Sequence, residues 1–172
     1  KRESAQKTGG NQDPTLQERL FQGKREVSSK ETLETIENSD HKLAPLAKKL
    51  NELLGDASTI VMLKDEVTTK INGEKVSVAG LYIGASDFIE INKNAEFRGS
   101  KAEAAVLHEI LHYATHRQLG LDNEENQHLN ELFEYAKDNM ETDGVHALDD
   151  LDEFIVALYT DSRFIRNLKK VK

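Results

Sequence analysis

Apolar side chains recur every three or four positions in several segments of the chain, and this spacing predicts amphipathic helices. The predicted helices cover residues 40 to 54, 100 to 118, 123 to 139 and 150 to 159. A basic amphipathic tail, Ser162 to Lys172, follows them and is expected to dock through its own apolar residues. The second half of the chain is therefore predicted to be mainly helical.

Short apolar runs and alternating patterns replace the helical spacing between the first two predicted helices. They predict strands at residues 59 to 63, 67 to 71, 75 to 83 and 87 to 92. The dipeptide Asn72-Gly73 lies between the second and third strands and is a strong signal for a two-residue hairpin turn. The expected fold is α+β, with a small, mostly antiparallel sheet ahead of a helical C-terminal half.

Residues 1 to 29 are polar and poor in β-branched side chains, so we expect them to form a flexible arm or linker. Leu16, Leu20 and Phe21 are an exception within this stretch and leave open a short docking helix. Residues 30 to 172 are expected to form a single domain. The chain starts with a lysine and shows no charged-then-apolar leader, which indicates a processed or excised piece of a longer product.

Composition narrows the class of protein. With 172 residues, of which 37% are hydrophobic and 31% charged, the chain suits one domain with a real core. No apolar run approaches the roughly 18 residues of a membrane span, and a net charge of −8 argues against a nucleic-acid partner. The chain has no cysteine, so a metal must be held by histidine and carboxylate side chains. We expect a soluble protein in the bacterial cytoplasm or associated with a virion, with secretion left open.

The predicted helix at residues 100 to 118 separates an apolar face from a face that can carry chemistry. Its apolar residues follow helical spacing and predict a buried stripe of Leu107, Ile110, Leu111 and Ala114. His108 and His112 lie on the other side, one turn apart, so a helix brings them close enough to bind a single zinc ion. Glu109 lies between them, where its carboxylate could take a proton from a metal-bound water as a general base.

A catalytic zinc site needs three protein ligands and one water, and the two histidines supply only two of them. His116 is a poor third ligand, because three consecutive turns of a straight helix cannot all point at one ion. Glu131 and Glu134 are candidates, since a short link would fold the next helix back toward the histidines. Glu153 is another candidate, although it could instead be the capping-box partner of Asp150.

Residues 153 to 159 (EFIVALY), taken with the His-Glu-Ile-Leu-His stretch, carry a resemblance to two groups of zinc peptidases. The segment is similar to Glu-Phe-Phe-Ala-Glu-Ala-Phe in the lethal-factor-like peptidases, which are gluzincins. It also resembles Glu-Phe-Ile-Ala-Glu-Ala in the HExxH domains of large phage polyvalent proteins. The resemblance implies a zincin-like fold in which His108, His112 and Glu153 bind Zn²⁺. Both groups have a second glutamate where this chain has Ala157.

The same resemblance implies a role for one further residue. Lethal-factor-like enzymes carry a tyrosine seven residues before the glutamate ligand, and that tyrosine helps to stabilise the oxyanion. His146 stands at this place in the chain. An imidazole N–H could do the same work, because oxyanion holes accept several kinds of donor.

The resemblance implies a gluzincin-type zinc endopeptidase that is encoded by a phage and acts on phage or host-cell proteins. The chain itself would be part of a larger polyprotein or of a virion. Its substrate would be a protein or peptide that adds as a strand to an edge strand at Val76 to Ile83. Gly80 and Gly84 either allow close backbone approach there or mark a bulge. Two alternatives stay open: a virion or scaffold module that keeps a zincin fold for binding, and an effector peptidase delivered into another cell.

Overall fold

The computed structural model describes residues 16 to 71, 73 to 94, 101 to 119, 124 to 140 and 145 to 171. Among the described residues, the strands lie between residues 26 and 92, and only helices follow them. The elements in chain order are helix α1 (Leu16–Leu20), strand β1 (Glu26–Ser28), α2 (Ser29–Glu37), α3 (Ala44–Leu54), β2 (Ile60–Lys64), β3 (Thr68–Ile71), β4 (Glu74–Ser77), β5 (Gly80–Ile83), β6 (Phe88–Asn92), α4 (Lys101–Leu119), α5 (Glu124–Asn139), a 3₁₀ turn (His146–Leu148), α6 (Leu151–Thr160) and α7 (Ser162–Leu168). The fold is α+β, as predicted.

A mixed four-stranded sheet in the order β1-β2-β6-β5 forms the centre of the fold. The prediction of antiparallel pairing holds for the two outer pairs, β1 with β2 and β5 with β6. The central pair, β2 and β6, is parallel. The chain can return in the same direction because β3, β4 and β5 lie between these two strands and supply the long connection that parallel pairing needs.

The strands β3 and β4 form a separate two-stranded hairpin. Ile71 lies opposite Glu74, which leaves a two-residue turn as predicted, although Asn72 lies outside the described residues. The strand predicted over residues 75 to 83 is divided. Val78 N–H donates to the carbonyl of Val67 (3.0 Å), whereas the carbonyl of the next residue, Ala79, accepts from Asn92 N–H (2.9 Å). Consecutive residues therefore pair on opposite sides, and β4 and β5 belong to different sheets.

The helix α4 packs its predicted apolar stripe into the main core. The buried residues of that stripe are Leu107, Ile110, Leu111 and Ala114. The sheet contributes Val61, Ile89 and Ile91, and the helices α2 and α3 contribute Leu33, Ile36 and Leu50. Full burial of one such side chain stabilises a fold by roughly 1.5–3 kcal/mol relative to exposure. The stripe therefore fixes the direction in which the opposite face of α4 points.

A second apolar cluster joins the C-terminal helices. The ring of Phe154 on α6 lies 5.5 Å from that of Phe133 and 5.7 Å from that of Phe164. Of the apolar residues that recur at helical spacing in α5, Phe133 and Ala136 are buried, whereas Leu132 is 40% exposed. α6 contacts both α5 and α4, so it connects this cluster to the helix of the two histidines.

The flexible arm predicted for residues 1 to 29 is wrong from residue 16 onward. Leu20 and Phe21 are buried in the main core, and Phe21 is 0% exposed. β1 pairs with β2, and Arg19 Nε lies 3.2 Å from Glu103 Oε1 on α4. The short docking helix that the apolar residues left open is present as α1, so the domain begins earlier than expected. The stretch before residue 16 lies outside the described part of the chain.

The helix α2 has no counterpart among the predicted helices. It begins with a capping box, in which Ser28 Oγ accepts from Glu31 N–H (3.0 Å) and Glu31 Oε2 accepts from Ser28 N–H (2.9 Å). Its nine residues are too short for periodicity alone to identify it. α3 begins at Ala44, later than predicted, whereas α4, α5 and α6 agree with the predicted bounds to within about one residue.

No helix within the described ranges combines the length and the apolar character needed to cross a bilayer.

Candidate metal centre

The two histidines of α4 point their outer ring nitrogens at each other. His108 Nε2 lies 3.1 Å from His112 Nε2, and the rings are close to perpendicular. This is the arrangement that their spacing of four residues predicted. His112 is 8% exposed, and His108 is half-buried, so both nitrogens face a partly enclosed space rather than bulk solvent.

Glu153 reaches the same point from the first turn of α6. Its carboxylate Oε1 lies 3.6 Å from His112 Nε2. Its backbone N–H donates to Asp150 Oδ1 (2.9 Å), so Asp150 caps the helix. The capping box considered for Glu153 is only half formed, because the Glu153 carboxylate lies near His112 and His146 instead of bonding to the Asp150 N–H.

The three side chains could together hold a metal ion. Among the described residues, His108, His112 and Glu153 form a group whose ligand atoms all lie within 4.8 Å of one another. Two ligands of one tetrahedral zinc ion, with bonds of about 2.0–2.2 Å, are roughly 3.3 Å apart. The separations of 3.1 Å and 3.6 Å lie on either side of that distance. The group could therefore hold a metal ion, and its donor set of two imidazoles and one carboxylate is one that zinc accepts.

The other candidate ligands lie elsewhere. His116 is exposed, and its Nδ1 is 3.3 Å from the hydroxyl of Tyr82. Glu131 is exposed on α5 and lies 3.6 Å from His128 on the same helix, and Glu134 is exposed as well. α5 packs on α6 and on the 3₁₀ turn, and neither Glu131 nor Glu134 belongs to the group on α4.

Asp152 is a functional candidate that the sequence patterns did not single out. Its Oδ2 lies 2.7 Å from His112 Nδ1, on the side of the ring opposite the metal site. Its other oxygen accepts a hydrogen bond from the hydroxyl of Thr115. A carboxylate on the inner nitrogen of a metal-binding histidine fixes the orientation and tautomer of the ring. The contact joins residues 40 positions apart, so no local pattern could have revealed it.

The local environment shifts the pKa values of the two imidazoles in opposite directions. Burial lowers the pKa of His108 to about 4, and the neighbouring ring of His112 adds to this effect, so His108 is neutral near pH 7. Burial also acts to lower the pKa of His112, but the hydrogen bond to Asp152 and the charges of Asp152 and Glu153 outweigh it and raise the pKa overall. A neutral Nε2 on each ring is the form that binds a metal.

Glu109 lies beside the group that could bind a metal ion and is held by the edge of the sheet. It is 8% exposed, and its Oε2 accepts a hydrogen bond from the backbone N–H of Tyr82 on β5 (2.9 Å). Burial raises the pKa of this carboxyl group to about 7, although His112 and the Tyr82 N–H oppose the shift. A carboxylate with a pKa near the working pH is suited to general-base catalysis.

These residues line one cleft of about 910 Å³. One wall consists of α4 and the first turn of α6, and the other consists of β5 and the hairpin strand β3. β5 is an edge strand, as predicted, but the predicted edge segment was too long, because Val76 belongs to β4 in the hairpin. A side chain at Gly80 would collide with Glu109, so this glycine makes room for a side chain of α4. The approach of a substrate backbone at Gly80 stays a prediction.

His146 lies at the mouth of the cleft on the 3₁₀ turn. Its Nε2 is 3.2 Å from Glu153 Oε1, and its Nδ1 contacts Asp149 Oδ2. The hydrogen bond with Asp149 raises the pKa of His146, and burial opposes the shift. The residue is thus next to the group that could bind metal, as its position in the sequence suggested. In this structure its N–H faces a carboxylate, and its part in stabilising an oxyanion stays a prediction.

Comparison of the chain with protein families, with curated proteins and with solved structures finds no match. The interpretation of the site therefore depends on its own geometry and chemistry.

Proposed function

We propose that this protein is a zinc-dependent peptidase of the gluzincin type. The observation that carries the proposal is the convergence of two imidazoles and one carboxylate on a single point, with a second, buried carboxylate beside them in the same cleft. A structural zinc site is usually closed by four protein ligands, whereas a catalytic site has three and an open position. Three ligands among the described residues, next to a general base, therefore favour catalysis over a purely structural role.

His108, His112 and Glu153 would hold the ion. Zinc in such a site supplies a Lewis acid that polarises a peptide carbonyl and makes water acidic near pH 7. Asp152 keeps the His112 ring in the tautomer whose Nε2 is free, through the contact at Nδ1. Burial keeps His108 neutral, so this ring needs no proton release before it binds metal at neutral pH.

Glu109 would carry the proton during hydrolysis. Its carboxylate takes a proton from the attacking water as the new C–O bond forms, and it gives that proton to the amine as the C–N bond breaks. The Tyr82 N–H holds Oε2, which leaves Oε1 as the oxygen that would take the proton. The hydrogen bond at one oxygen would keep Glu109 oriented, and the other oxygen would remain able to accept a proton.

The substrate is proposed to be an extended peptide that lies along β5. The outer backbone groups of an edge strand can pair with an added strand and so bind peptides with little regard to sequence. Because Glu109 already accepts from the Tyr82 N–H, pairing at this residue would rely on its carbonyl and on the neighbouring groups of Gly80. The hairpin strand β3 lines the same cleft and would contact the peptide from its side.

Metal analysis tests the first half of the proposal. Purified protein supplied with zinc and then dialysed should retain about one zinc ion per chain, as measured by elemental mass spectrometry. His108→Ala and Glu153→Ala should lose the metal, and Glu131→Ala, which removes an exposed carboxylate outside the group, should keep it. A wild-type protein that stays empty would refute the metal site.

Cleavage assays test the second half. The zinc-loaded protein is incubated with a peptide library, and new termini are mapped by mass spectrometry. Cleavage should stop when a chelator removes zinc, and it should be lost in Glu109→Gln although this variant keeps its metal. A Glu109→Gln variant that cleaves as well as the wild type would mean that this carboxylate is not the base.

A further inference from the structure

Gly80 on β5 lies directly against the side chain of Glu109. A Cβ atom built at Gly80 would lie 2.7 Å from Glu109 Cγ, 3.0 Å from its Oε1 and 3.1 Å from its Cδ. The backbone of Gly80 is not in the left-handed region, so its conformation alone would accept other residues. The requirement for glycine at this position comes from the space that Glu109 occupies.

The collision could not be relieved cheaply. Cγ is only two bonds from the backbone of α4, so it moves only if the side chain rotates about its first bond or if the helix and strand separate. Rotation would take Oε2 away from the N–H of Tyr82, with which it makes a 2.9 Å hydrogen bond. Separation would pull β5 from its antiparallel partner β6 or from α4. Glu109 is also buried, so a rotated side chain could move only into the cleft that it lines.

We propose that Gly80 is a positioning residue for Glu109, the proposed general base. Because Gly80 has no side chain, Glu109 Cγ can lie against the strand. The N–H of Tyr82, two residues later, holds Glu109 Oε2. Together these two backbone positions determine where the other carboxylate oxygen points. The catalytic half of this inference rests on the proposed function, whereas the contact itself does not.

Gly80→Ala and Gly84→Ala are a matched pair of variants. Both replace a glycine by alanine in the same segment of the chain, but a Cβ at Gly84 would make ordinary contacts, 3.5 Å to His116 Nε2 and 3.6 Å to Tyr82 Cε1. In the zinc-loaded enzyme we expect Gly80→Ala to lower kcat on the order of 100-fold, the effect of moving a catalytic group by about 1 Å. KM should stay near the wild-type value, because alanine keeps the backbone N–H and carbonyl that would pair with the peptide. The zinc dissociation constant should also stay near its wild-type value, because the zinc ligands are other side chains. Gly84 lies after the end of β5 and is not among the residues that line the cleft, so Gly84→Ala should leave all three nearly unchanged.

A melting cycle in metal-free protein tests the contact without any activity assay. Gly80→Ala should lower the melting temperature of the wild type, and it should lower it far less when Glu109→Ala has removed the colliding atoms. Two residues in contact are coupled in such a cycle, whereas independent residues have additive effects. If Gly80→Ala alone does not fold, recovery of folding in the double variant supports the inference.

Two results would overturn it. One is an equal fall in melting temperature in both backgrounds, and the other is a Gly80→Ala enzyme with the kcat of Gly84→Ala. Failure of the proposed function has a different signature, because a protein without peptidase activity would still show the coupling between Gly80 and Glu109.

Discussion

Replacing Glu109 by glutamine is expected to stabilise the metal-free protein at about pH 8 and to leave its stability almost unchanged at pH 4.5, the ordinary pKa of a glutamate. Burial raises the pKa of this carboxyl to about 7 in the folded protein. The folded state therefore binds more protons than the unfolded state between these two values, and stability falls as the pH rises through this window. Glutamine has a similar shape and does not titrate, so it removes this loss.

The size of the effect follows from the pKa shift. The rise from 4.5 to about 7 corresponds to about 3 kcal/mol, since one pKa unit is worth about 1.4 kcal/mol. The side chain is 8% exposed, so solvent screening does little to reduce that cost. For a chain of this length, the shift in melting temperature should be roughly 6–12 °C at the higher pH. The Tyr82 N–H would keep an acceptor, because the glutamine side chain retains one carbonyl oxygen.

Urea unfolding in the presence of a chelator, at several pH values between 4.5 and about 8, measures the difference between the two proteins. Glu131→Gln is the matched control, because it removes an exposed carboxylate and should show no comparable gain. If Glu109→Gln and the wild type lose stability in parallel over the whole range, Glu109 does not have the buried, desolvated position described here. A gain in stability with loss of cleavage would identify Glu109 as a residue that costs stability and serves catalysis.

Further predictions concern the ligand histidine and the N-terminal segment. Asp152→Asn removes the carboxylate at His112 Nδ1. The zinc dissociation constant, measured by titration against a chelating dye, should rise roughly 10- to 100-fold. An unchanged constant would contradict a role for this contact in zinc binding. Zinc affinity should weaken with falling pH, beginning above pH 6.5, because the raised pKa of His112 lets protons compete for its ring. The same titration at several pH values measures this. Phe21→Ala should reduce the free energy of unfolding by roughly 3–5 kcal/mol, measured with urea, and a loss below about 1 kcal/mol would place this residue outside the core.

The parts of the fold that sequence patterns predicted are those with long, regular signals. The periodicity of α4, and the apolar runs of β2 and β6, describe interactions between near neighbours in the chain and the burial of one face. The N-terminal segment has no such signal. β1 has three residues, and Leu20 and Phe21 contribute to the core as two isolated apolar side chains in a polar stretch. Their burial depends on the surface that the rest of the domain offers, which composition does not reveal.

The residues of the candidate metal centre also include some that sequence spacing predicted and others that it could not predict. His108, Glu109 and His112 lie within one helical turn, so spacing alone places them together. Glu153 came from a resemblance, since spacing left Glu131 and Glu134 open beside it. Asp152 and the Tyr82 N–H remained hidden because each depends on how two distant elements cross. An aspartate at the start of a helix is more often a solvated or capping residue, and every strand residue has an N–H.

Two consecutive residues at the start of α6 contact the ring of His112 on α4. Consecutive residues on a helix diverge by about 100°, yet Asp152 reaches Nδ1 of this ring while Glu153 lies near Nε2. Both contacts place the first turn of α6 against the ring, with one carboxylate near each of its two nitrogens. The packing of Phe154 in the C-terminal cluster and the stripe of α4 in the main core set that approach. The site therefore depends on the docking of the two apolar clusters, so a substitution that loosens α6 should weaken metal binding without touching a ligand.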